Sequence, residues 1–330
     1  MKEPHANYPE LRLDRQRRTP AIRRLLAAPP LPPAKWIWPI FVVDGRNRRE
    51  PIPSLSGQYR VSLDQLEAHL APAVEAGIGG VLLFGQEEGT KDPNGCQAWN
   101  PKGTVQKAVG HIKQRFPQIA VATDVCLCAY TDHGHCGALA PDGSIDNPLT
   151  CDLLARIARS HAEAGADIVA PSAMADGQVR AIRAALSEAG LDHTLVMAYS
   201  TKFASTLYGP FRDAERSAPT SGDRRAYQAD PFNPRAALLE SALDEAEGAD
   251  ILMVKPATPY LDLLAELRRR TDLPIALYHV SGEYAMAQAA AEKGWLDLPP
   301  FAHETAAAFA RAGADIIISY WAGRYTELFA

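Results

Sequence analysis

Eight short apolar runs, rich in β-branched residues, recur along the chain and are separated by longer stretches of mixed polarity. The runs are residues 36–43, 79–84, 119–127, 166–170, 194–199, 249–255, 274–280 and 314–321. They are too short for buried helices, and a continuous apolar pattern is typical of parallel strands that are buried on both faces. The pattern therefore predicts eight buried strands.

Between most of these runs, apolar residues recur at helical spacing. The stretches 62–77 and 150–165 each begin with a hydroxyl residue suited to a helix N-cap, Ser62 or Thr150, and each end at a glycine. The phrases "GADIVAPS", "GADILMVKP" and "GADIIISYW" each join a helix end to a strand. Such alternation predicts an α/β fold, a TIM (β/α)8 barrel. An open doubly wound sheet is the alternative, although no glycine-rich phosphate fingerprint follows an early strand.

The chain begins with a polar, basic segment. Its arginines are Arg12, Arg15, Arg17, Arg18, Arg23 and Arg24. The proline-rich stretch "AAPPLPPAKW" is expected to break any helix before Trp36. We therefore predict an extended N-terminal arm over residues 1–34 and a catalytic barrel over residues 35–330.

Composition narrows the class of protein. The 330 residues are 47% hydrophobic and 22% charged, as in ordinary globular proteins, and the net charge of −5 gives no reason to expect nucleic-acid binding by the body. No apolar run approaches the roughly 18 residues that a membrane helix needs. The N-terminus lacks the apolar core of a secretory signal, so we expect a cytoplasmic protein. The odd number of cysteines, five, argues against a disulfide framework.

Catalytic side chains of such a barrel lie at the carboxyl ends of its strands. Reactive residue types occupy this position on six of the eight predicted strands. In chain order they are Asp124, Cys126 and Cys128, then Ser172, Lys202, Lys255, Ser281 and Tyr320. Their concentration at one rim predicts an active site there.

The stretch "DVCLCAYTDHGHCG" spaces Cys126, Cys128 and Cys136 as C-x-C-x7-C. Alternate residues of an extended strand face the same way, so the first two thiols can share one metal, and the loop can return the third. Thiolates suit zinc. A fourth ligand from His133 or His135 would make the site structural, whereas an open fourth position implies catalysis. Three buried free cysteines are the alternative without metal.

Two lysines follow neighbouring strands. Lys202 comes just beyond the fifth run and Lys255 ends the sixth. Both should therefore project into the opening at the carboxyl end of the predicted barrel, which we call the mouth. Burial and a second ammonium group each lower the pKa of a lysine, and a free amine can attack a carbonyl to form a Schiff base. The alternative is a pair of surface lysines with buried apolar stems.

The segment 200–233 is rich in Gly, Pro and Ser and is long for a connection, as lids over active sites often are. It contains Arg212 and Arg224, and arginine binds carboxylates in a bidentate way. A solvated loop arginine is the alternative for each. Together the candidate groups suit condensation chemistry on a small keto acid.

The motifs "DVCLCAYTDHGHCG", "AYSTKFASTLYGPFRDA", "LMVKPATPYLD", "YHVSGEYAM" and "AGADIIISYW" closely resemble those of the porphobilinogen synthases, also called 5-aminolevulinate dehydratases. The resemblance runs from about residue 10 to residue 325. It implies a TIM barrel with an N-terminal arm, assembled as a homo-octamer. The implied reaction condenses two molecules of 5-aminolevulinate into porphobilinogen, the monopyrrole of haem and related tetrapyrroles.

The resemblance also assigns substrate-binding residues by position. Lys255 would be the principal Schiff-base lysine and Lys202 the second. The residues implied to hold the two substrate carboxylates are Arg212 with Arg224 for one molecule and Ser281 with Tyr320 for the other.

The metal ligands are implied in the same way. Cys126, Cys128 and Cys136 match the zinc-type members of the family, whereas magnesium-type members have carboxylates or other residues at these positions. Glu240 matches a position that binds an activating magnesium in some bacterial members; an exposed helical glutamate without a ligand is the alternative.

Two positions depart from the family pattern. Many members read "PSDMMDGR" and "FGDRK" where this chain reads "PSAMADGQ" and "SGDRR", so Ala173 lacks a carboxylate near the lysines and Ser221 replaces an aromatic residue. Two other functions remain as alternatives. One is a different Schiff-base barrel enzyme, such as an aldolase. The other is a non-catalytic assembly protein or nucleic-acid-binding protein that uses the basic arm.

Overall fold

The computed structural model describes residues 12–86, 89 and 91–329. Ten strands and eleven α-helices are found in this part of the chain. The strands are β1 (Trp36–Val43), β2 (Arg49–Pro51), β3 (Tyr59–Ser62), β4 (Gly80–Gln86), β5 (Ala120–Val125), β6 (Ile168–Pro171), β7 (Leu195–Lys202), β8 (Ile251–Lys255), β9 (Ile275–His279) and β10 (Ile316–Ser319). The α-helices are α1 (Pro20–Leu26), α2 (Leu63–Glu75), α3 (Thr104–Arg115), α4 (Asn147–Glu163), α5 (Gln178–Glu188), α6 (Gly209–Glu215), α7 (Pro234–Ala246), α8 (Leu261–Arg268), α9 (Ser281–Glu292), α10 (Leu298–Ala312) and α11 (Tyr325–Phe329).

Eight of the strands close into a parallel barrel. Their order is β1, β4, β5, β6, β7, β8, β9 and β10, and β10 pairs with β1 in turn, with Trp36 opposite Ile317. Each barrel strand corresponds to one of the eight apolar runs, and helices follow most of them, so the predicted TIM barrel is confirmed. The strands are almost wholly buried because side chains fill the barrel on one face and the helices cover the other.

The hairpin of β2 and β3 is an addition that the apolar pattern did not predict. β3 pairs in parallel with the carboxyl end of β1, where Val42 lies opposite Val61, and β2 pairs antiparallel with β3. The two strands have only three and four residues, and β2 is largely exposed, so neither forms an apolar run.

One predicted helix start is wrong. α4 begins at Asn147, and its N-cap is Asp146, whose side chain accepts the N–H of Leu149. Thr150 lies inside the helix and bonds back to the carbonyl of Asp146. At α2 the N-cap is Ser62 as predicted, but its hydroxyl donates to Asp64 and does not cap the helix.

The arm is partly described. Residues 1–11 of the predicted arm lie outside the described residues. Within the rest, α1 ends at Leu26, before the proline-rich stretch, in keeping with the expectation that these prolines break any helix before Trp36, and none of its residues is buried. No helix in the described part of the chain is both long enough and apolar enough to cross a membrane.

Candidate active site

Lys202 and Lys255 are direct neighbours at the carboxyl end of the barrel. They are paired residues in the β7–β8 register, and each side chain is about 5% exposed. A register irregularity between Ala198 and Thr201 precedes this pair in β7. Adjacent strands lie about 4.8 Å apart, so the two amines enter the same mouth.

An aromatic box surrounds the Lys255 amine. Its Nζ lies 4.1 Å from the ring centre of Tyr278 and 4.8 Å from that of Tyr199. The rings of Phe211 and Tyr208 are 5.3 and 5.4 Å away. Burial, and then the neighbouring Lys202, lower the pKa of Lys255 from its ordinary 10.5 to about 7. The amine is therefore substantially unprotonated near neutral pH, the form that attacks a carbonyl.

Asp124, at the end of β5, lies within electrostatic reach of both amines and is hydrogen-bonded to Ser172. Burial raises the pKa of this carboxyl, although both lysines act in the opposite direction. Lys202 is tied to the same place because its Nζ donates to the carbonyl oxygen of Ser172. A carboxyl group placed between two amines can hold a proton and pass it on.

Cys126, Cys128 and Cys136 converge beside these groups. All three are buried, the sulfurs of the first two are 3.3 Å apart, and all three sulfurs lie within 4.8 Å of one another. Three Zn–S bonds of about 2.3 Å in tetrahedral geometry would place the sulfurs about 3.8 Å apart, so a zinc ion fits with small adjustments. Hydrogen bonds from Cys126 and Cys128 lower the pKa of Cys136, so the group already favours one thiolate.

The nearby histidines are bonded elsewhere. Nε2 of His135 lies 3.0 Å from the carbonyl oxygen of Ser221, and its Nδ1 lies 3.2 Å from the hydroxyl of Tyr227. Nε2 of His133 lies 3.1 Å from the carbonyl oxygen of Pro93. Within the described residues, the three cysteines are the only metal-ligating cluster found, so an ion held by these thiols alone would have a fourth coordination position for water or substrate.

Helix α6 forms a roof over the mouth. It follows β7 and reaches the opposite wall, where the ring centre of Phe211 is 5.0 Å from that of Phe84. Arg60 of β3 donates to the carbonyl oxygens of Asp213 and Ala214 at 2.7 and 2.8 Å. The roof is thus fastened at its carboxyl end by the hairpin that flanks the barrel.

Arg212 and Arg224 come close to the mouth from the same long segment. Both lie within electrostatic reach of the Tyr208 hydroxyl. Arg224 is buried and donates to the carbonyl oxygens of Gly134 and Ser217, at 2.9 and 2.6 Å. Its Nε, and that of Arg212, are buried and have no partner among the described residues, so each guanidinium retains a donor for a carboxylate.

Ser281 and Tyr320 lie on the other side of the mouth. Both are buried, and the Tyr320 hydroxyl is close to that of Tyr278. The Ser281 hydroxyl accepts the N–H of Phe211 at 3.0 Å and donates to the carbonyl of Leu207 at 3.2 Å, so it fastens the roof. Ser281 is also the first residue of α9, where backbone N–H groups are left free by the helix and suit an anion.

Glu240 and Ala173, two of the remaining positions, line one cavity. Glu240 on α7 lines a space of about 380 Å³ with Asp176, Asp230 and Ala173. Burial, and then Asp176, raise the pKa of Glu240. The structure does not place it in a cluster of three metal-ligating side chains within the described residues. Ser221 is exposed.

Sequence reasoning missed several groups at the mouth. The sequence places Asp124 at a strand end but suggests no role for it. Its position directly before "VCLC" is the feature that could have indicated an acid–base group beside the thiols. The aromatic residues of the box, Tyr199 and Tyr278, sit inside apolar runs and look like core. Glu215 is 4% exposed, and its Oε2 has no hydrogen-bond partner among the described residues. Nothing in the sequence around Glu215 marks it as buried.

The family of the chain emerges from comparison with known proteins. The model of the family described as delta-aminolevulinic acid dehydratase matches residues 10–328. The chain is 47% identical to the delta-aminolevulinic acid dehydratase of Synechococcus elongatus, over 96% of this chain and 97% of that one. It is 46% identical to the Bacillus subtilis enzyme of the same name, over 93% and 94% of the two chains.

A solved structure gives the same result. The crystal structure of delta-aminolevulinic acid dehydratase (porphobilinogen synthase) from Toxoplasma gondii ME49, in complex with the reaction product porphobilinogen, superposes with a TM-score of 0.93. The two sequences are 42% identical, and the match covers 96% of this chain and 91% of that one. With the barrel, the paired lysines and the thiol cluster, these matches lead to one conclusion: the chain belongs to the delta-aminolevulinic acid dehydratase family.

Proposed function

We propose that this chain is a porphobilinogen synthase that condenses two molecules of 5-aminolevulinate through Schiff bases on Lys255 and Lys202. The condensation itself is the activity of the family to which the chain belongs. The observation that carries the lysine chemistry is the pair of amines at matched positions on β7 and β8, one of them boxed by four aromatic rings.

Each Schiff base would form by attack of a neutral amine on the ketone of one substrate. A C–N bond forms, the carbonyl oxygen leaves as water after taking up protons, and an iminium remains, which withdraws electrons more strongly than the ketone did. The lowered pKa of Lys255 supports its assignment as the principal nucleophile. Lys202, held by the carbonyl of Ser172, would bind the second substrate.

Asp124 is suited to move the protons that these steps require. Its carboxyl group interacts electrostatically with both lysine amines, and burial keeps its pKa above the ordinary value. A carboxyl group with a raised pKa can act as donor and acceptor in one cycle. This position supplies an acid–base group even though Ala173 has none.

The two substrate carboxylates would be held on opposite sides of the mouth. Arg212 and Arg224 would bind one of them through the guanidinium donors that protein groups leave unused. Ser281 and Tyr320 would bind the other, with help from the N-terminus of α9. Two copies of one small molecule fixed in this way react as if the step were intramolecular.

Cys126, Cys128 and Cys136 would hold a zinc ion, which supplies Lewis acidity beside the substrate when bound. The fit of three buried sulfurs and the open fourth position support a catalytic ion. Glu240 is proposed as a ligand of an activating magnesium, with water completing the shell, because magnesium commonly uses only one or two protein carboxylates. Its partly buried carboxyl beside Asp176 supports that proposal.

We further propose a homo-octamer in which the arm contacts a neighbouring subunit. The exposure of α1 supports this, since none of its residues is buried and its apolar side chain Leu25 is 83% exposed. The cytoplasmic location expected from the sequence stays a prediction, which cell fractionation would test.

The function is tested by turnover and by trapping. The protein is incubated with 5-aminolevulinate, pyrrole formation is followed, and borohydride is added to reduce any Schiff base to a stable adduct located by peptide mass spectrometry. We expect an adduct on Lys255 and near-complete loss of turnover in Lys255→Met. Lys107→Met, which changes an exposed lysine on α3, is the matched control. Wild-type turnover in Lys255→Met would refute the Schiff-base role.

A further inference from the structure

The side chain of Glu283 joins two strand ends at the mouth. It lies in the first turn of α9 and is 5% exposed. Its Oε1 accepts the backbone N–H of Thr258 at 2.6 Å, and its Oε2 accepts those of Ala257 at 3.2 Å and Val280 at 2.8 Å. One carboxylate therefore bonds three amides, two from the turn after β8 and one from the turn after β9.

Helix capping accounts for only one of these bonds. Val280 is the N-cap residue of α9 and Glu283 is the third residue of the helix. The bond from the Val280 N–H to the Glu283 carboxylate is therefore the one found in a capping box. The bonds to Ala257 and Thr258 have no part in capping, because those amides belong to a different strand connection. They explain why a carboxylate is buried here with both oxygens engaged.

The two turns carry the groups assigned to substrate. Ala257 follows Lys255 by two residues, and Val280 directly precedes Ser281. We propose that Glu283 is a positioning residue that fixes the span between the Lys255 amine and the carboxylate-binding start of α9, and thereby selects a 4-oxo acid over longer oxo acids. This inference rests on the proposed function, because it assumes that Lys255 binds the ketone and Ser281 the carboxylate.

The surrounding contacts make this span stiff. A Cβ atom added to Gly282 would meet the backbone oxygen of Leu207 at 2.5 Å, so the start of α9 packs directly on the segment below the roof. The Lys255 carbonyl accepts the N–H of Phe203 at 3.0 Å and the hydroxyl of Tyr208 at 3.3 Å. With Glu283 between them, the two ends have little freedom to separate.

Glu283 acts through other residues because it faces away from the reacting atoms. It lines a cavity of about 520 Å³ between η5, α9 and α10, on the outer side of the strand ends, together with Thr258, Met286 and Phe309. Here η5 denotes the 3-10 turn Thr258–Tyr260. A substitution at Glu283 should therefore change substrate fit without removing a group that contacts substrate.

Two variants separate this role from the helix cap. Glu283→Gln keeps the size, but only one of its two terminal atoms can accept, and its NH2 group would face a backbone donor. Glu283→Asp keeps a carboxylate that can still cap α9 but is one methylene too short to reach both turns. Glu292→Gln, an exposed change at the end of the same helix, is the control.

The readout is borohydride trapping of two simple keto acids, 4-oxopentanoate and 5-oxohexanoate, which differ by one methylene between ketone and carboxylate. We expect the wild type and the control to trap the 4-oxo acid faster. Glu283→Gln and Glu283→Asp should trap it about tenfold to a hundredfold more slowly, in keeping with the cost of misplacing a reacting group by about 1 Å. The ratio of the trapping rate of 4-oxopentanoate to that of 5-oxohexanoate should fall in both variants.

The outcomes are distinct. If the wild type traps neither acid on Lys255, the proposed function fails. If the wild type traps the 4-oxo acid and either folded variant keeps the wild-type rate and preference, the positioning role is wrong. If Glu283→Gln fails to fold, Glu283→Asp, which keeps the helix cap, tests the positioning role through the same ratio of trapping rates. A loss of rate with an unchanged preference in the folded variant would also overturn the inference, because a general structural defect slows both acids alike.

Discussion

Two ionisable residues at the mouth are held by burial toward their uncharged forms. Burial lowers the pKa of Lys255 to about 7, and it raises the pKa of Glu215 well above the ordinary 4.5. The two groups lie within electrostatic reach of each other, and Asp124 is near both. A low-dielectric mouth of this kind favours neutral forms, and a neutral amine is the form that Schiff-base formation requires.

The first prediction concerns the influence of one lysine on the other. In Lys202→Met the second-largest cause that lowers the pKa of Lys255 is gone, while burial remains. The pKa of Lys255 should therefore rise, and the pH at which borohydride trapping on Lys255 is half-maximal should move upward from about 7. Trapping across a pH series, with Lys107→Met as control, measures the shift. An unchanged midpoint would show that Lys202 does not act on Lys255.

The second prediction concerns stability and pH at Glu215. A carboxyl whose pKa is raised on folding binds its proton more readily in the folded state, so its contribution to stability is lost as pH rises above the ordinary 4.5. Glu215→Gln removes this loss. Denaturation at pH 5 and pH 8 should show the variant gaining stability relative to wild type at the higher pH. Glu292→Gln should show no such trend, and a parallel pH response of Glu215→Gln and wild type would contradict the prediction.

At the scale of single residues, sequence identified the groups whose chemistry is rare. Lysines at strand ends and cysteines at C-x-C spacing stand out because their types are unusual in buried strands. The aromatic box does not, since Tyr199 and Tyr278 are ordinary members of apolar runs. Glu215 was equally invisible, because its burial depends on how α6 crosses the barrel, and no local pattern specifies that path.

The short hairpin of β2 and β3 helps to hold α6 in place over the mouth. Its residue Arg60 donates hydrogen bonds to backbone carbonyl oxygens at the carboxyl end of α6 and so fastens the roof. Sequence could predict the eight barrel strands because a strand buried on both faces must be apolar throughout. It could not predict a polar hairpin stabilised by contacts with residues about 150 positions away. The start of α4 was misplaced for a smaller reason, since both Asp146 and Thr150 can cap a helix.

The third prediction concerns the thiol cluster, which lies in the connection after β5 and not on the strand itself, where the sequence predicts Cys126 and Cys128. Cys126 and Cys128 follow β5 and Cys136 lies in the same connection, so a bound ion links no distant elements. A strong chelator should abolish turnover while the thermal midpoint and far-UV circular dichroism change little. Turnover should return on addition of zinc. Loss of the fold along with the ion would instead identify a structural site. Full activity in Cys126→Ala/Cys128→Ala/Cys136→Ala would show that no catalytic ion is bound there.

The whole molecule combines a closed barrel with an arm whose helix α1 is largely exposed in the described part of the chain. Leu25 is 83% exposed and Leu26 is 58% exposed on α1, a helix of seven residues that is too short to be stable alone. Such a segment gains order by packing on another surface. The barrel could be predicted from the chain's own pattern, but the surface that receives the arm could not, because it belongs to another subunit in the proposed assembly.

The fourth prediction follows from this arrangement. Deletion of residues 1–30 should leave a folded barrel but lower the mass of the assembly, since a symmetric oligomer loses assembly in steps when one type of interface is removed. Light scattering on the full-length and shortened proteins measures the mass. Equal masses would mean that the arm takes no part in assembly, and the proposed octamer would be withdrawn. If the arm bound nucleic acid, the full-length protein would show salt-dependent binding that the deletion removes.

The roof over the mouth also bears on which carbonyl compounds can reach the nucleophile. Phe211, which closes the box around Lys255, and Arg212, proposed to recognise a carboxylate, are consecutive residues of α6 and must move together. A cell contains many small aldehydes and sugars that would modify an unprotonated amine left open to water. Here the amine is 5% exposed beneath α6. A small aldehyde in solution therefore has little access to it, so the helix that carries the proposed carboxylate ligand also protects the lysine from adventitious modification.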